Sequence, residues 1–169
     1  RTEPIRRLVE AMDRHFPEPA RDLASPFLMP IEDVLTIAGR GTVVTGRVER
    51  GVLPLGGSLE LVGHDVGGKA RIVVVTGIQY FHRDRPEARA GENVGLLLRG
   101  VRRDEIVRGE VLTLPGSVRA HTSGDAELYL LTAKEGGRHT AFGSGYMPQF
   151  FFGSVDVTGR LEIEGDLAN

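Results

Sequence analysis

Cysteine is absent from the 169 residues. Its absence excludes a disulfide framework and any thiolate metal site, and it fits a reducing cytosol. Lysine is nearly absent as well. Lys69 and Lys134 stand alone beside the arginines, and the plain reading of that bias is codon usage in a GC-rich genome. A large excess of either charge is also missing. The formal net charge of −2 rules out a uniformly basic nucleic-acid binder, so an anionic partner would need a local patch. No apolar run is long enough to span a bilayer, and no signal peptide opens the chain. The five histidines (His15, His64, His82, His121, His139) lack metal-ligand spacing. There is no GxxxxGK[ST] phosphate loop, and no serine sits in a nucleophile elbow. RAGENVG has two glycines, but their spacing fits a turn entering a strand better than a phosphate cradle.

What is present is a folded protein's composition, with 40% hydrophobic and 26% charged residues. The length allows one domain or two small ones. The chain starts with arginine rather than methionine, which suggests a fragment, a processed chain or an incomplete one.

TEPIRRLVEAMDRHF places Ile5, Leu8, Val9, Met12 and Phe16 on one helical face, with Pro4 near the start. PEPARDLASP then breaks the helix and reads as a linker. From Phe27 the pattern turns to period two and short β-branched runs. Strands are predicted over 28–38, 41–49, 58–63, 69–81, 92–99 and 109–114. The segments between them (GRG, ERGVLPLGG, VGHDVGG, ARAGEN) are rich in glycine, which supplies the positive φ of tight turns. Many short strands with such turns point to a closed antiparallel barrel, which leaves no sticky edges. LPGSVRAH marks a second break. Beyond it DAELYLLTA, YMPQFFFGSV and GRLEIEG are again strand-like. About fifty residues form a marginal unit alone, so an incomplete barrel leaning on the first is expected.

Two short stretches carry chemistry. Glu32 and Asp33 are adjacent acids in an apolar run. In a strand their side chains point to opposite faces, so they cannot serve one substrate atom together. Either one is solvated and the other bonded to backbone or arginine, or they receive a cationic group near a barrel rim. GGRHT joins a flexible turn to Arg138, His139 and Thr140, which can bond phosphate or ribose oxygens or simply face solvent.

FLMPIED, TIAGRGTVVTGRVERG, AGENVGLLLRG, KEGGRHTAF, GYMPQF and DVTG occur in this order along nearly the whole chain. Together they resemble the elongation factor Tu family, a group of translational GTPases. The resemblance implies an all-β fold: an antiparallel β-barrel of the family's second-domain type, then a partial second β-barrel, with a short N-terminal helix before them. Residues 1–24 would be the last helix of a GTP-binding domain and a linker, 25–116 the second domain, and 117–169 an incomplete third. The GTP and Mg site, and the family's GTPase activity, would lie outside this chain, which itself would be no enzyme and hold no cofactor.

The family carries aminoacyl-tRNA to the ribosome in the cytoplasm and has a nucleotide-exchange factor; no DNA or membrane partner is implied. By the same resemblance Glu32, Asp33 and Leu35 would lie beside the esterified amino acid, with Thr45 and Asn93 near its α-amino and carbonyl groups. Ile37, Val43 and Leu97 would line an apolar slot for the terminal adenine, where Gln79 replaces a glutamate. Arg138, His139, Gln149 and Thr158 would meet the tRNA T-stem. An aminoacyl ester has a free amine and no carboxylate, so acceptors suit its positive end. Main-chain groups of an unpaired strand can bond it whichever way the side chains point, and that leaves the amino-acid side chain unread.

Several positions depart from the family pattern. Leu35 replaces phenylalanine, Met147 and Gly153 replace arginines, and Ala141 replaces proline. The loss of two cations implies weaker tRNA binding and a diverged paralogue, with a protein-interaction module or non-functional remnant as the alternative.

Overall fold

The computed structural model describes residues 2–63 and 71–163. It opens with helix α1 (Glu3–His15), followed by strands β1 (Leu28–Pro30), β2 (Asp33–Ile37), β3 (Gly41–Arg47), β4 (Val52–Pro54), β5 (Ser58–Val62) and β6 (Arg71–Tyr80). Then come β7 (Arg83–Asp84), β8 (Glu87–Arg89), β9 (Asn93–Arg99), β10 (Val111–Thr113), β11 (Gln149–Phe152) and β12 (Val155–Thr158). Two short 3-10 turns lie at Arg103–Glu105 and Ala133–Glu135.

Helix α1 forms where its local signals predict. A proline stands in its first turn, Glu3 faces the positive end of the helix dipole, and Arg14 and His15 face the negative end. Glu3–Arg7, Arg6–Glu10 and Glu10–Arg14 pair one turn apart on its surface. Its apolar face is exposed along its length.

The main sheet runs β1-β10-β5-β6-β9-β3-β2, with every neighbouring pair antiparallel. The ring closes because the chain bends after β1. The amide of Leu28 donates to the carbonyl of Arg50, and the amide of Glu49 donates to that of Leu28. Thus β1 pairs with β10 on one side and with the continuation of β3 on the other. The closing contact is tight. A side chain at Gly46 would put its Cβ 2.1 Å from the Pro30 carbonyl oxygen, and one at Gly51 would meet the Phe27 backbone at 2.6 Å. Only glycine allows these crossings.

Alternation sorts the strands into two faces. Val44, Val73, Val75, Ile78, Val94, Leu96 and Leu98 point into the barrel, where Phe27, Met29, Ile31, Leu53, Leu59 and Leu112 complete the core. Each such side chain contributes roughly 1.5–3 kcal/mol by leaving water. One polar clasp closes the loop before β10. The Arg71 guanidinium pairs with the buried Glu110 carboxylate and also donates to the Glu105 carbonyl.

The structure corrects several predicted boundaries. The single strand 28–38 is two strands with a bend at Ile31 and Glu32, because β1 and β2 take different partners. ERGVLPLGG is more than a turn: its Val52–Pro54 pairs with Glu87–Arg89 as a small separate sheet. DAELYLLTA forms no strand, having no ladder partner among the described residues. GRLEIEG forms none over 159–163, although Leu161 exchanges backbone hydrogen bonds with Gly145 and Tyr146. Its Glu164 and Gly165, and the first two residues of predicted strand 69–81, lie outside the described residues. YMPQFFFGSV is strand-like as expected: it holds all of β11, and its Gly153 and Ser154 turn the chain into β12.

This hairpin rests on the barrel. The Ser154 hydroxyl donates to the Ile31 carbonyl at 3.0 Å, and Arg108 Nε donates to the Ser154 carbonyl at 3.1 Å.

Candidate functional site

The outer face of β2, β3, β9 and β6 collects most of the residues singled out from sequence. The strand register sets out two rows. Leu35 lies opposite Val43, Val43 opposite Leu97, and Leu97 opposite Gly77. One step along, Asp33 lies opposite Thr45, Thr45 opposite Gly95, and Gly95 opposite Gln79. Ile37 extends the first strand of this face, and Asn93 lies two residues beyond Gly95.

Two positions in the middle of the face have no side chain. Gly95 and Gly77 are diagonal neighbours on β9 and β6. A glycine inside a strand weakens it and marks a place where something approaches the backbone closely. Here a Cβ at Gly77 would meet the Leu97 side chain at 3.2 Å and one at Gly95 the Val43 side chain at 3.8 Å, so the two glycines let Leu97 and Val43 lie close to the sheet as an apolar patch beside Thr45 and Gln79. Leu35 and Ile37 at its rim remain 46% and 41% exposed, although both are large and apolar. The NVGLL and VTGIQ contexts displayed these interior glycines in the sequence.

Strand β2 pairs only with β3, so half of its main-chain groups have no strand partner. Asp33 Oδ1 accepts the amide of Val34 at 2.8 Å. The backbone-bonded reading of one acid therefore holds for Asp33. Gln79 Nε2 donates to Asp84 Oδ1 at 2.9 Å across the β6–β7 hairpin.

Glu32 does not join this face. It stands at the bend between β1 and β2 and lines a separate groove of about 670 Å³. Arg21, Arg47 and Arg108 line the same groove with Asp22 and Glu49. No motif singled this groove out, because its walls come from six separate segments. Asp22 is held below the ordinary carboxylate range, chiefly by hydrogen bonds from Ser25 and more weakly by the charge of Arg50.

In the second region Gln149 lies opposite Thr158 in the hairpin, and Gln149 Nε2 donates to Asp156 at 3.1 Å. Arg138 donates to the Tyr146 hydroxyl and to Thr140, and stacks its guanidinium 4.6 Å from the centre of the Tyr146 ring. That holds the cation at the end of the hairpin where Tyr146 bonds Leu161. His139 is exposed beside it, with no described contact to the Gln149–Thr158 pair.

Two families match this chain. Residues 41–113 match "Elongation factor Tu domain 2", and residues 117–167 match "Elongation factor Tu C-terminal domain". The two matches follow one another, the first covering the barrel from β3 to β10 and the second the hairpin.

The chain belongs to the elongation factor Tu family.

The matched parts are non-catalytic domains of elongation factor Tu. Among the described residues no helix is long and apolar enough to cross a membrane.

Proposed function

We propose that the outer face of the first barrel receives the aminoacylated 3′ end of a tRNA, and that the chain works as part of a GTP-dependent carrier delivering it to the ribosome. The observation that carries this reading is the shared outer face around Gly95 and Gly77, apolar at Leu97, Val43 and Ile37 and polar at Asp33, Thr45, Gln79 and Asn93.

Each kind of surface suits one part of the ligand. A base laid against aliphatic walls contributes roughly 1–3 kcal/mol whatever its neighbours in sequence. The α-ammonium of an aminoacyl ester is drawn to the Asp33 carboxylate and to the unpaired carbonyls of β2. Uncharged tRNA lacks that cation. The arrangement therefore discriminates charged from uncharged ends while leaving the amino-acid side chain unread. Arg138, His139, Gln149 and Thr158 would meet phosphates and riboses of the T-stem, as a carrier of many tRNA sequences requires. GTP and Mg would be held by a further domain, and the exchange factor would act there. The place of work is the cytoplasm.

A second reading has its own observation. Leu128, Leu130, Leu131, Phe151 and Phe152 are exposed in the second region. Such a surface suits a diverged paralogue that kept its barrels for protein contacts. Mobility-shift titration with charged and uncharged tRNA separates the two. Tighter binding of the charged form is expected; equal affinities would refute a site for the aminoacylated end.

A further inference from the structure

The hairpin of β11 and β12 has two unlike faces. Its register sets Phe150 opposite Val157 and Phe152 opposite Val155, so these four side chains share one face. Gln149, Phe151, Asp156 and Thr158 share the other. The first face carries no charged or hydrogen-bonding side chain, while the second carries the Gln149–Asp156 hydrogen bond. On the first face the Phe150 and Phe152 rings lie nearly parallel, with centroids 6.2 Å apart. Gly159 leaves room for them, since a Cβ there would meet the Phe150 ring at 2.8 Å. At the turn the face touches the barrel: a Cβ on Gly109 would stand 2.4 Å from that of Val155. Only that corner is covered. Phe152 is 64% exposed and Val157 46% exposed. A two-stranded sheet with an apolar face open to water is marginal on its own.

The chain also has surface to spare for a partner. At 18.4 kDa it exposes 12822 Å². A compact monomer of that mass exposes roughly 8,200 Å², so the surplus is about 4,600 Å². Residues 2–24 are exposed throughout and hold part of it, and residues 117–163, none of them buried, hold another part. A specific dimer needs only about 600–1,000 Å² from each copy. An uncharged face is its own complement. Turned against a copy of itself about a two-fold axis, it sets apolar side chains against apolar side chains with no like-charge repulsion.

We propose that the Phe150–Phe152–Val157 face is a self-association surface: a second copy of the chain lays its own hairpin over it, forming a two-layer sandwich with the sheets about 10 Å apart. The partner copy supplies the facing layer that the hairpin lacks within one chain. Gln149, Phe151 and Thr158 stay on the outside of this sandwich. The pairing therefore neither needs nor blocks the tRNA-binding reading, and either can fail without the other.

The test is the oligomeric state of the 169-residue chain by sedimentation across a concentration series. Mass is expected to rise from one chain to two and to stop there. Phe152→Glu should weaken the pairing at least about tenfold, whereas Phe151→Glu on the opposite face should leave it unchanged. Unmoved amide resonances at Val44 and Leu96 would show that both variants keep the barrel. The chain has no cysteine, so single introduced ones report cleanly. With a bis-maleimide of about 10 Å reach, Val157→Cys should give a cross-linked dimer and Asp156→Cys should not. A chain that stays monomeric overturns the proposal. So does a dimer that survives Phe152→Glu, or one that cross-links through Asp156→Cys alone, because another surface then makes the contact. Mass that keeps growing past two copies also overturns it, since the closed pair would be replaced by open-ended sheet stacking. A monomer in which Val157→Cys reacts slowly with maleimide would mean that a segment of the same chain, such as α1, covers the face instead.

Discussion

The two halves of this protein have similar strand-like sequence and very different interiors. Between Phe27 and Leu112 the barrel holds every buried hydrophobic side chain described. Between Ser117 and Ile163 none is buried, and Phe151 is 74% exposed. Apolar content does not explain this, since QFFF and LYLL are as hydrophobic as any stretch of the barrel. What differs is closure. In the barrel β10, β5, β6, β9 and β3 have neighbours on both sides and β1 closes through the Leu28–Arg50 bridge, so the inner faces meet around a common centre. The hairpin of β11 and β12 is a two-stranded sheet with no second sheet facing it. A sheet of that size cannot shield an apolar face by itself. Apolar residues become a core only when the topology gives them something to face.

The sharpest way to break this comparison is to remove equivalent bulk from each half. Leu96→Ala deletes a fully buried side chain amid Val44, Val75 and Ile78. It should destabilise the chain by about 2–5 kcal/mol in urea unfolding. Phe151→Ala removes a larger side chain that meets mostly water and should fall within about 0.5 kcal/mol of wild type. A comparable loss from both would mean that the second region buries Phe151 in solution and that the contrast is wrong.

How much of this was legible beforehand follows the same division. Alternation and glycine-rich turns located β3, β5, β6 and β9 closely, because the barrel buries one face and register is then strongly specified. The bend at Glu32 was not legible, since it depends on β1 and β2 choosing different partners far along the chain. DAELYLLTA looked like a strand for the same reason it failed to be one: alternation records only what a segment could bury. Of the candidate site, the side chains on the outer face followed from family motifs, and strand periodicity agrees with their sharing one face. The Gly95–Gly77 pair was visible in the letters but meaningless without register. The groove at Arg21, Arg47 and Arg108 could not be read at all.

A smaller effect sharpens the contrast from the other side. If the second region works as an exposed surface rather than a core, its binding can change without a stability penalty. Met147 is 62% exposed and can take arginine freely. Gly153 is a poorer choice, because it sits at φ 58°, where an arginine is strained. Met147→Arg should leave the unfolding midpoint in place, strengthen tRNA binding most at low salt, and steepen the log Kd–log salt slope by about one. An affinity gain unchanged across a salt titration would mean that the new cation meets no phosphate.

The smallest expected effect concerns local order where there is no core. Glu135 accepts the Thr132 amide at 2.9 Å, the Thr132 hydroxyl at 2.8 Å and the Tyr129 hydroxyl at 2.9 Å. The Thr132 amide bond, followed by the two hydroxyls, holds its carboxyl below the usual glutamate range. A carboxyl lowered in the folded state adds its stability above the unfolded pKa, and loses it as pH falls through the folded one. Acidification from neutral to below the ordinary glutamate range should therefore release the turn at Ala133–Glu135, shifting the Thr132 amide resonance while the barrel amides at Val44 and Leu96 stay put. Glu135→Gln should abolish that titration. If the barrel amides move in the same step, the two halves are coupled more tightly than the Ile31–Ser154–Arg108 contacts imply, because a change confined to an exposed turn would then have crossed into the closed sheet.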